Sequence, residues 1–228
     1  MEKYFNRQIK LWGIYTQKNL STKHIVIVGC GGLGCSIAYA LGTSGIGEIT
    51  LVDFDEVGIH NIHRQIAFTL EDENKKKCEV LKNVIVSKNK FVKVNNIDGS
   101  FEDFIKQNTN ENNTNIDLIL DATDNLPVRK TIDDYAKNIN TPWIYASVEE
   151  FHGQVCFFDK SKFDSVFTVK DRIPQGIACP IVMQIASTQS NIALRYLAGL
   201  SVKKDFLNYI FYDENGELII QKFGLPKE

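Results

Sequence analysis

The sequence predicts an α/β fold: a doubly wound, mostly parallel sheet followed by a C-terminal antiparallel extension. Three observations carry this expectation. A β-branched run, His24-Ile25-Val26-Ile27-Val28, ends in Gly29-Cys30-Gly31-Gly32-Leu33-Gly34 and passes into a helical stretch, Cys35–Ser44, before a second strand, Glu48–Asp53. Strand, glycine turn, helix and strand within about thirty residues make a crossover unit whose two strands lie parallel. Helical and extended segments then alternate as far as Val148, whereas the last third carries Asn215-Gly216 between two alternating runs, the signature of a hairpin.

Taken in order, residues 4–20 mix Phe5, Ile9, Leu11, Trp12, Ile14 and Leu20 with polar residues, which reads as a short amphipathic helix before the first strand. After Asp53 the stretch Phe54–Leu70 is polar and irregular. A helix is expected from about Asn74 to Lys88, with Cys78, Leu81, Val84 and Ile85 on one face, and a strand over Lys90–Ile97. Gln107–Asn115, rich in Asn and Thr, reads as a solvated loop between a short helix and the strand Ile116–Asp121. Helix Pro127–Lys137 and strands Trp143–Val148 and Gln154–Phe158 come next. Lys160–Gln175 lacks strong periodicity, a long helix runs from about Pro180 to Ala198, and Tyr209–Tyr212 and Leu218–Phe223 form the hairpin. Proline is compatible with the first turn of that helix.

Composition narrows the class. The 228 residues, 43% hydrophobic and 24% charged, suit one soluble globular domain with a full core. The expected organisation is a single unit, 1–228, with an N-terminal helical arm (1–22), a nucleotide-binding core (23–150) and the antiparallel extension (151–228). A net charge of −2 gives no basic field for nucleic acid or an anionic membrane. No apolar run approaches the ~20 residues of a membrane span, and the start, Met1-Glu2-Lys3-Tyr4-Phe5-Asn6-Arg7, lacks a signal core. A cytoplasmic protein is expected. Five cysteines, an odd number without a C-x-x-C pair, argue against a disulfide framework and a four-thiolate zinc site.

The first chemical signal is Gly29-x-Gly31-x-x-Gly34 between strand and helix. Gly29 allows the tight turn, Gly31 and Gly32 let the backbone approach a phosphate or ribose, and Gly34 lets the helix pack against the strand. The helix N-terminus adds free N–H groups and the positive end of its dipole. Asp53, twenty-four residues after Gly29, stands where an acid accepts ribose hydroxyls. The motif alone leaves dinucleotide and ATP both open. The residues beyond Asp53 favour ATP in a Rossmann-like sheet: Asn61, Arg64 and Gln65, then Lys75-Lys76-Lys77, then Asp121-Ala122-Thr123-Asp124-Asn125 at a strand end where ligands gather. Cations neutralise polyphosphate, and a carboxylate holds Mg²⁺ against phosphate oxygens.

At these residues the chain resembles the MoeB/ThiF/HesA family, bacterial relatives of ubiquitin-activating enzymes, as a short zinc-less member. The resemblance rests on Tyr4-Phe5-Asn6-Arg7-Gln8-Ile9, the glycine series through Cys35, Asp53-Phe54-Asp55-x-Val57, Asn61-x-x-Arg64-Gln65, Lys77 and Asp121–Asn125. It continues with His152-Gly153-Gln154-Val155 and Tyr196-Leu197-Ala198-Gly199. The family implies ATP-dependent adenylation of the C-terminal glycine of a small ubiquitin-like sulfur carrier of the ThiS/MoaD type, ending in Gly-Gly, for thiamin or molybdopterin synthesis.

By the same resemblance Gly32 and Asp53 hold the adenosine, and Asn61, Arg64 and Lys77 bind the triphosphate. Asp124 positions Mg²⁺ with Asn125 beside it, and Arg7 reaches the phosphates of the second subunit in a homodimer. Asp121 is the structural alternative to Asp124, Arg129 is expected to brace Asp124 by an ion pair, and Asp55 to stabilise its turn. Lys75 and Lys76 read as a solvated helix start, His60 and His63 as polar loop residues, Trp12 and Trp143 as packing residues.

Departures from the family pattern carry expectations too. Two C-x-x-C pairs that bind zinc in many members are missing, so no zinc is expected. Arg172 stands where several members have a cysteine, and Cys179 is expected to be a small buried packing residue rather than a nucleophile. A chain of this length leaves no room for an appended sulfurtransferase domain, so a separate sulfur donor is implied. Two other classes compete: an NAD-dependent Rossmann oxidoreductase, for which the phosphate cluster and Asp124 have no task, and a non-catalytic scaffold that binds a ubiquitin-like protein.

Overall fold

Strand β1 (His24–Val28) runs through the middle of the molecule with every residue buried. It lies parallel to β2 (Glu48–Asp53), which pairs in turn with β3 (Lys93–Asp98). On its other side β1 pairs with β4 (Leu118–Asp121), and β4 with β5 (Trp143–Glu149), again parallel. β6 (His152–Phe158), β7 (Phe206–Tyr212) and β8 (Leu218–Gly224) extend the sheet antiparallel. The order is β3-β2-β1-β4-β5-β6-β7-β8. The chain builds outward from β1 to β3 and then crosses to β4, so the order reverses between β1 and β4, where open α/β sheets bind ligands. This computed structural model describes residues 1–110, 115–168 and 176–226.

Alternate side chains of a strand face opposite sides of its sheet, so a central strand needs apolar residues at every position. Ile25 and Ile27 enter one core and Val26 and Val28 the other. Helix α1 (Asn6–Leu20) precedes the sheet and is broken at Gly13, whose φ of 84° only glycine adopts readily. The first core is completed by α2 (Gly32–Gly42), α4 (Lys77–Lys88) and α7 (Cys179–Leu197). Between β2 and α4 lies a single short helix, α3 (Ile59–Ile62), and a 3-10 turn, Leu70–Asp72. The second core is covered by α5 (Phe101–Asn110) and α6 (Leu126–Asn138). Burying an isoleucine or valine side chain stabilises by about 1.5–3 kcal/mol, and both faces of β1 gain it.

Several element ends differ from expectation. α2 begins at Gly32, three residues early, because Gly31 serves as its N-cap and Gly34 packs directly on Gly29. α4 begins at Lys77 rather than Asn74, whose φ of 64° lies outside the helical region. α5 runs on through Gln107–Asn110 despite their loop-like composition. Asn108 is buried there and donates to the Tyr135 hydroxyl at 2.7 Å, so tertiary contact overrides weak helix propensity. The rest of that loop, 111–114, lies outside the described residues, as does Arg172.

The hairpin closes as its sequence predicts. Asp213 Oδ1 accepts from the N–H groups of Asn215 (2.9 Å) and Glu217 (2.8 Å), and Gly216 takes a φ of 80°. Trp143 is a packing residue, stacked on Phe158 with ring centroids 4.7 Å apart, its indole N–H donating to Asp133 at 2.9 Å. Trp12 is partly buried on the first core. Among the described residues no helix is long and apolar enough to cross a membrane.

Candidate active site

The glycine loop sits at the C-terminal end of β1 because two glycines let it. Gly29 has φ 95°, its N–H donates to Val52 O at 2.8 Å, and a side chain there would lie 2.7 Å from Ala122 O. A side chain on Gly34 would overlap the Gly29 carbonyl. The loop is thereby pressed between the ends of β2 and β4. α2 has no side-chain cap, and its first intrahelical bond joins Cys35 N–H to Gly31 O. The N–H groups of the opening turn are left for a ligand.

Asp53 closes one side of the loop. Its Oδ2 accepts the Cys30 N–H and its Oδ1 the Asp55 N–H at 2.7 Å. Burial raises the pKa of this carboxyl above its ordinary value; the two backbone donors and the charge of Lys77 oppose the rise without cancelling it. Lys77, the first residue of α4, is 5% exposed and its ammonium lies 2.7 Å from Asp55. Asp55, read from sequence as a turn residue, is the partner of that buried cation.

The segment between β2 and α4 brings the other nominees to the loop. Gly32 could not carry a side chain without meeting the Arg64 carbonyl oxygen at 3.3 Å and Val182 of α7 at 2.9 Å. Gln65 Nε2 lies 3.6 Å from the same point on Gly31. Gln65 is buried, and its carboxamide oxygen has no partner among the described residues. Arg64 is partly buried; its guanidinium donates to His60 O (3.2 Å) and Asn61 Oδ1 (3.3 Å), with His63 Nε2 at 2.9 Å. Arg64 thus lies against the glycine cradle with Asn61 hydrogen-bonded to it, while Lys77 is held beside it through Asp55. Gln65, grouped with Asn61 and Arg64 in the sequence, is the member of that cluster buried beside Gly31.

At the end of β4 the two acids part company. Asp121 is fully buried; Arg129 Nε donates to it at 3.0 Å, and Thr123 donates through both its N–H (2.9 Å) and its hydroxyl (2.7 Å). The same guanidinium reaches Thr123 O and, at 3.2 Å, Ala146 O. Arg129 therefore braces Asp121 and not Asp124, which corrects the expectation: a buried carboxylate needs the cation more than an exposed one does. Asp124 is exposed with no partner among the described residues. Asn125 caps α6, its Oδ1 accepting Val128 N–H at 3.3 Å. Gln189 of α7, which sequence reading passed over, is wholly buried and ties the strand ends together by donating to Asp121 O and Ile144 O, each at 2.9 Å.

The remaining nominees lie apart. Gln8, next to Arg7, donates to Ser44 O at 2.8 Å, just beyond the C-terminus of α2, and Tyr4 to Lys88 O at 3.1 Å, the C-terminus of α4. The glycine loop and Lys77 are at the opposite ends of those helices. Eleven residues of helix separate the ends of α2, about 16 Å at 1.5 Å per residue. Arg7 is exposed and unpaired among the described residues. Cys30, Cys35, Cys78 and Cys156 are buried. Burial pushes the Cys35 thiol up to about 12. Cys179 is the first residue of α7 and only partly buried, so the expectation of a buried packing residue does not hold. The described residues hold no cluster of three His, Cys, Asp or Glu suited to a metal.

Known proteins resemble this chain in sequence and fold. The ThiF family matches residues 5–226. A molybdopterin-synthase adenylyltransferase of Haemophilus influenzae is 27% identical over 234 residues, spanning 97% of this chain and 94% of that protein. The adenylyltransferase and sulfurtransferase MOCS3 of Caenorhabditis briggsae is 30% identical over 86% of this chain. A sulfur carrier protein adenylyltransferase of Thermus thermophilus is 33% identical over 62% of it. The chain spans about half the length of these last two, 52% and 51%. E. coli MccB, solved with AMPCPP and MccA, superposes with a TM-score of 0.84 at 22% identity, over 98% of this chain and 72% of MccB, a likeness of fold. A family match of that extent, carried on the same crossover sheet, means that this chain belongs to the ThiF family.

Proposed function

We propose that the chain adenylates the C-terminal glycine carboxylate of a small ubiquitin-like sulfur carrier, using ATP and releasing pyrophosphate. The observation that carries the reading is convergence: Arg64 and Gln65 press on Gly32 and Gly31, while Lys77 and Asp53 enclose the same loop from β2 and α4. The names of the Haemophilus and Thermus relatives support the substrate class, molybdopterin synthesis in the first case; the thiamin pathway is the other branch of the same proposal. The cytoplasm suits an ATP-using chain whose cysteines are free.

A glycine carboxylate is a poor acyl donor, so its oxygen attacks the α-phosphorus of ATP, forming the acyl phosphate bond as the bond to pyrophosphate breaks. The nucleophile is already ionised at neutral pH and needs no general base. Two anions must meet, so orientation and cationic screening dominate. Asp53 takes the ribose hydroxyls, the cradle of Gly29, Gly31, Gly32 and Gly34 admits the nucleotide backbone-close, and Asn61, Arg64 and Lys77 hold the phosphates. Asn125 shapes the neighbouring helix start. Asp124, exposed and unpaired among the described residues, is the carboxylate that would hold Mg²⁺, and the ion would supply charge neutralisation there.

Arg7 lies a helix length from its own glycine loop, so we assign it to the site of a second copy in a homodimer. Pyrophosphate exchange into ATP that depends on a carrier ending in Gly-Gly tests the whole reading. Its absence with every such carrier from the source organism sinks it. Substrate-dependent reduction of NAD, followed by absorbance, would replace it with an oxidoreductase.

A further inference from the structure

Lys77 is placed where a cation loses its water and meets the positive end of a helix. It opens α4, at the positive end of the helix dipole, with its side chain 6% exposed. A buried ammonium cannot draw on water and needs an anion beside it. In this chain the anion is Asp55, 2.7 Å away and itself 52% exposed.

Backbone pairing fixes the two in register. After β2 the chain Asp55–Val57 lies alongside Asn74–Lys77: Lys77 N–H donates to Asp55 O at 3.1 Å, Val57 N–H to Lys75 O at 2.9 Å and Asn74 N–H to Val57 O at 2.9 Å. Glu56 and Lys76 form an antiparallel bridge, reinforced by an ion pair at 3.3 Å. This ladder closes the neck of the segment that carries Asn61 and Arg64. The two acids beside Lys77 are used differently. Asp53 has both oxygens engaged by backbone N–H groups, whereas Asp55 gives its carboxylate to the lysine. The partners are also unequal in exposure. Water can take the place of Lys77 around Asp55, but only another anion can take the place of Asp55 at Lys77.

The geometry points to Asp55 as a resident stand-in for polyphosphate: a carboxylate that holds the Lys77 ammonium before nucleotide binds, yields it to ATP, and reclaims it as pyrophosphate leaves. The inference rests on the reading of Lys77 as a phosphate ligand. Asp55 is then a positioning residue that sets product release, and it lowers affinity for the anions the site must bind.

The test is Asp55→Asn, nearly isosteric at a half-exposed position, with affinity for ATP and for inorganic pyrophosphate measured separately by calorimetry. The variant should bind pyrophosphate about tenfold more tightly, as expected for deleting one nearby like charge in a partly screened site. It should turn over more slowly without a rise in KM for ATP, and a Lys77→Met background should abolish the difference. A residue that merely supports the loop would weaken binding on removal. Equal or weaker pyrophosphate binding by a folded Asp55→Asn protein overturns the assignment; should that variant not fold, Asp55→Ser is held to the same outcomes. If the unaltered chain binds neither ATP nor pyrophosphate, the nucleotide reading fails and takes this inference with it, a result distinct from a loss confined to the Asp55 variants.

Discussion

Arg129 donates to Asp121 at 3.0 Å and leaves Asp124, three residues further along the same loop, without a partner among the described residues. One acid is neutralised inside the protein and the other is left open at its surface. The loop from Ala122 to Asn125 owes its shape to the first, and its chemistry is assigned to the second.

Arg129→Gln should destabilise the fold by about 3–5 kcal/mol, because it strands a buried carboxylate without its cation. Urea denaturation measures this. A loss below about 1 kcal/mol would show that Asp121 finds another partner or stays protonated at little cost.

Asp124→Asn should abolish adenylate formation while the melting temperature stays within about 1–2 °C of the parent, since the side chain is exposed and unpaired. Near-normal pyrophosphate exchange by the variant would move the metal-binding role to a different acid.

Mixing Arg7→Ala subunits with Asp124→Asn subunits should restore part of the activity that each lacks alone. A mixed dimer contains one site with both residues intact when Arg7 acts across the interface. Demonstrated heterodimers with no rescue would return Arg7 to its own subunit's site or remove it from catalysis.

Gly34→Ala should abolish ATP binding measured by calorimetry, because the new methyl overlaps the Gly29 carbonyl and forces the loop away from β1. Gly216→Ala is the control: Gly216 has a positive φ, at the hairpin, but nothing lies within 4 Å of the added carbon. Its effect should be confined to stability, about 1 kcal/mol.

The Asp53 carboxyl is raised above 3.8, chiefly by burial. Its ionised form is the one that accepts ribose hydroxyls, so ATP affinity should fall on acidification through a pKa higher than that of an ordinary aspartate. The contribution to folding has the opposite sense. The native state holds this proton more tightly than the unfolded chain, so acidification through that window adds stability and rising pH removes it. Binding isotherms across the acid range check the first effect, and Asp53→Asn should flatten the profile.

Much of this molecule is legible in its sequence. β1 is continuous in apolar residues from Ile25 to Val28 because the strand is covered on both faces, and its one buried polar residue, His24, has both ring nitrogens paired, with Asn115 O and Thr50 Oγ1. The glycine series, Asp53 and the Asn61–Gln65 cluster stand out because packing alone would not select their residue types in that order, whereas Lys77, last of three lysines, is singled out only by its register with the family pattern. The hairpin is announced by Asn215-Gly216, where only a few residues tolerate the required backbone. These are local or periodic constraints, and a one-dimensional pattern records them.

Pairing across space is what tertiary structure decided. Arg129 stands closer in sequence to Asp124 than to Asp121, yet the burial of Asp121 claims it. Asp55 and Lys77 are twenty-two residues apart, and only the ladder at the neck of the intervening segment reveals that they meet. Gln189 has no sequence signature at all, because its task of satisfying two carbonyl groups exists only once α7 has docked on the ends of β4 and β5. The placement of Arg7 a helix length from the glycine loop belongs to the same category. Residue type states what a side chain can do; which partner it serves depends on burial, and burial exists only in the folded chain.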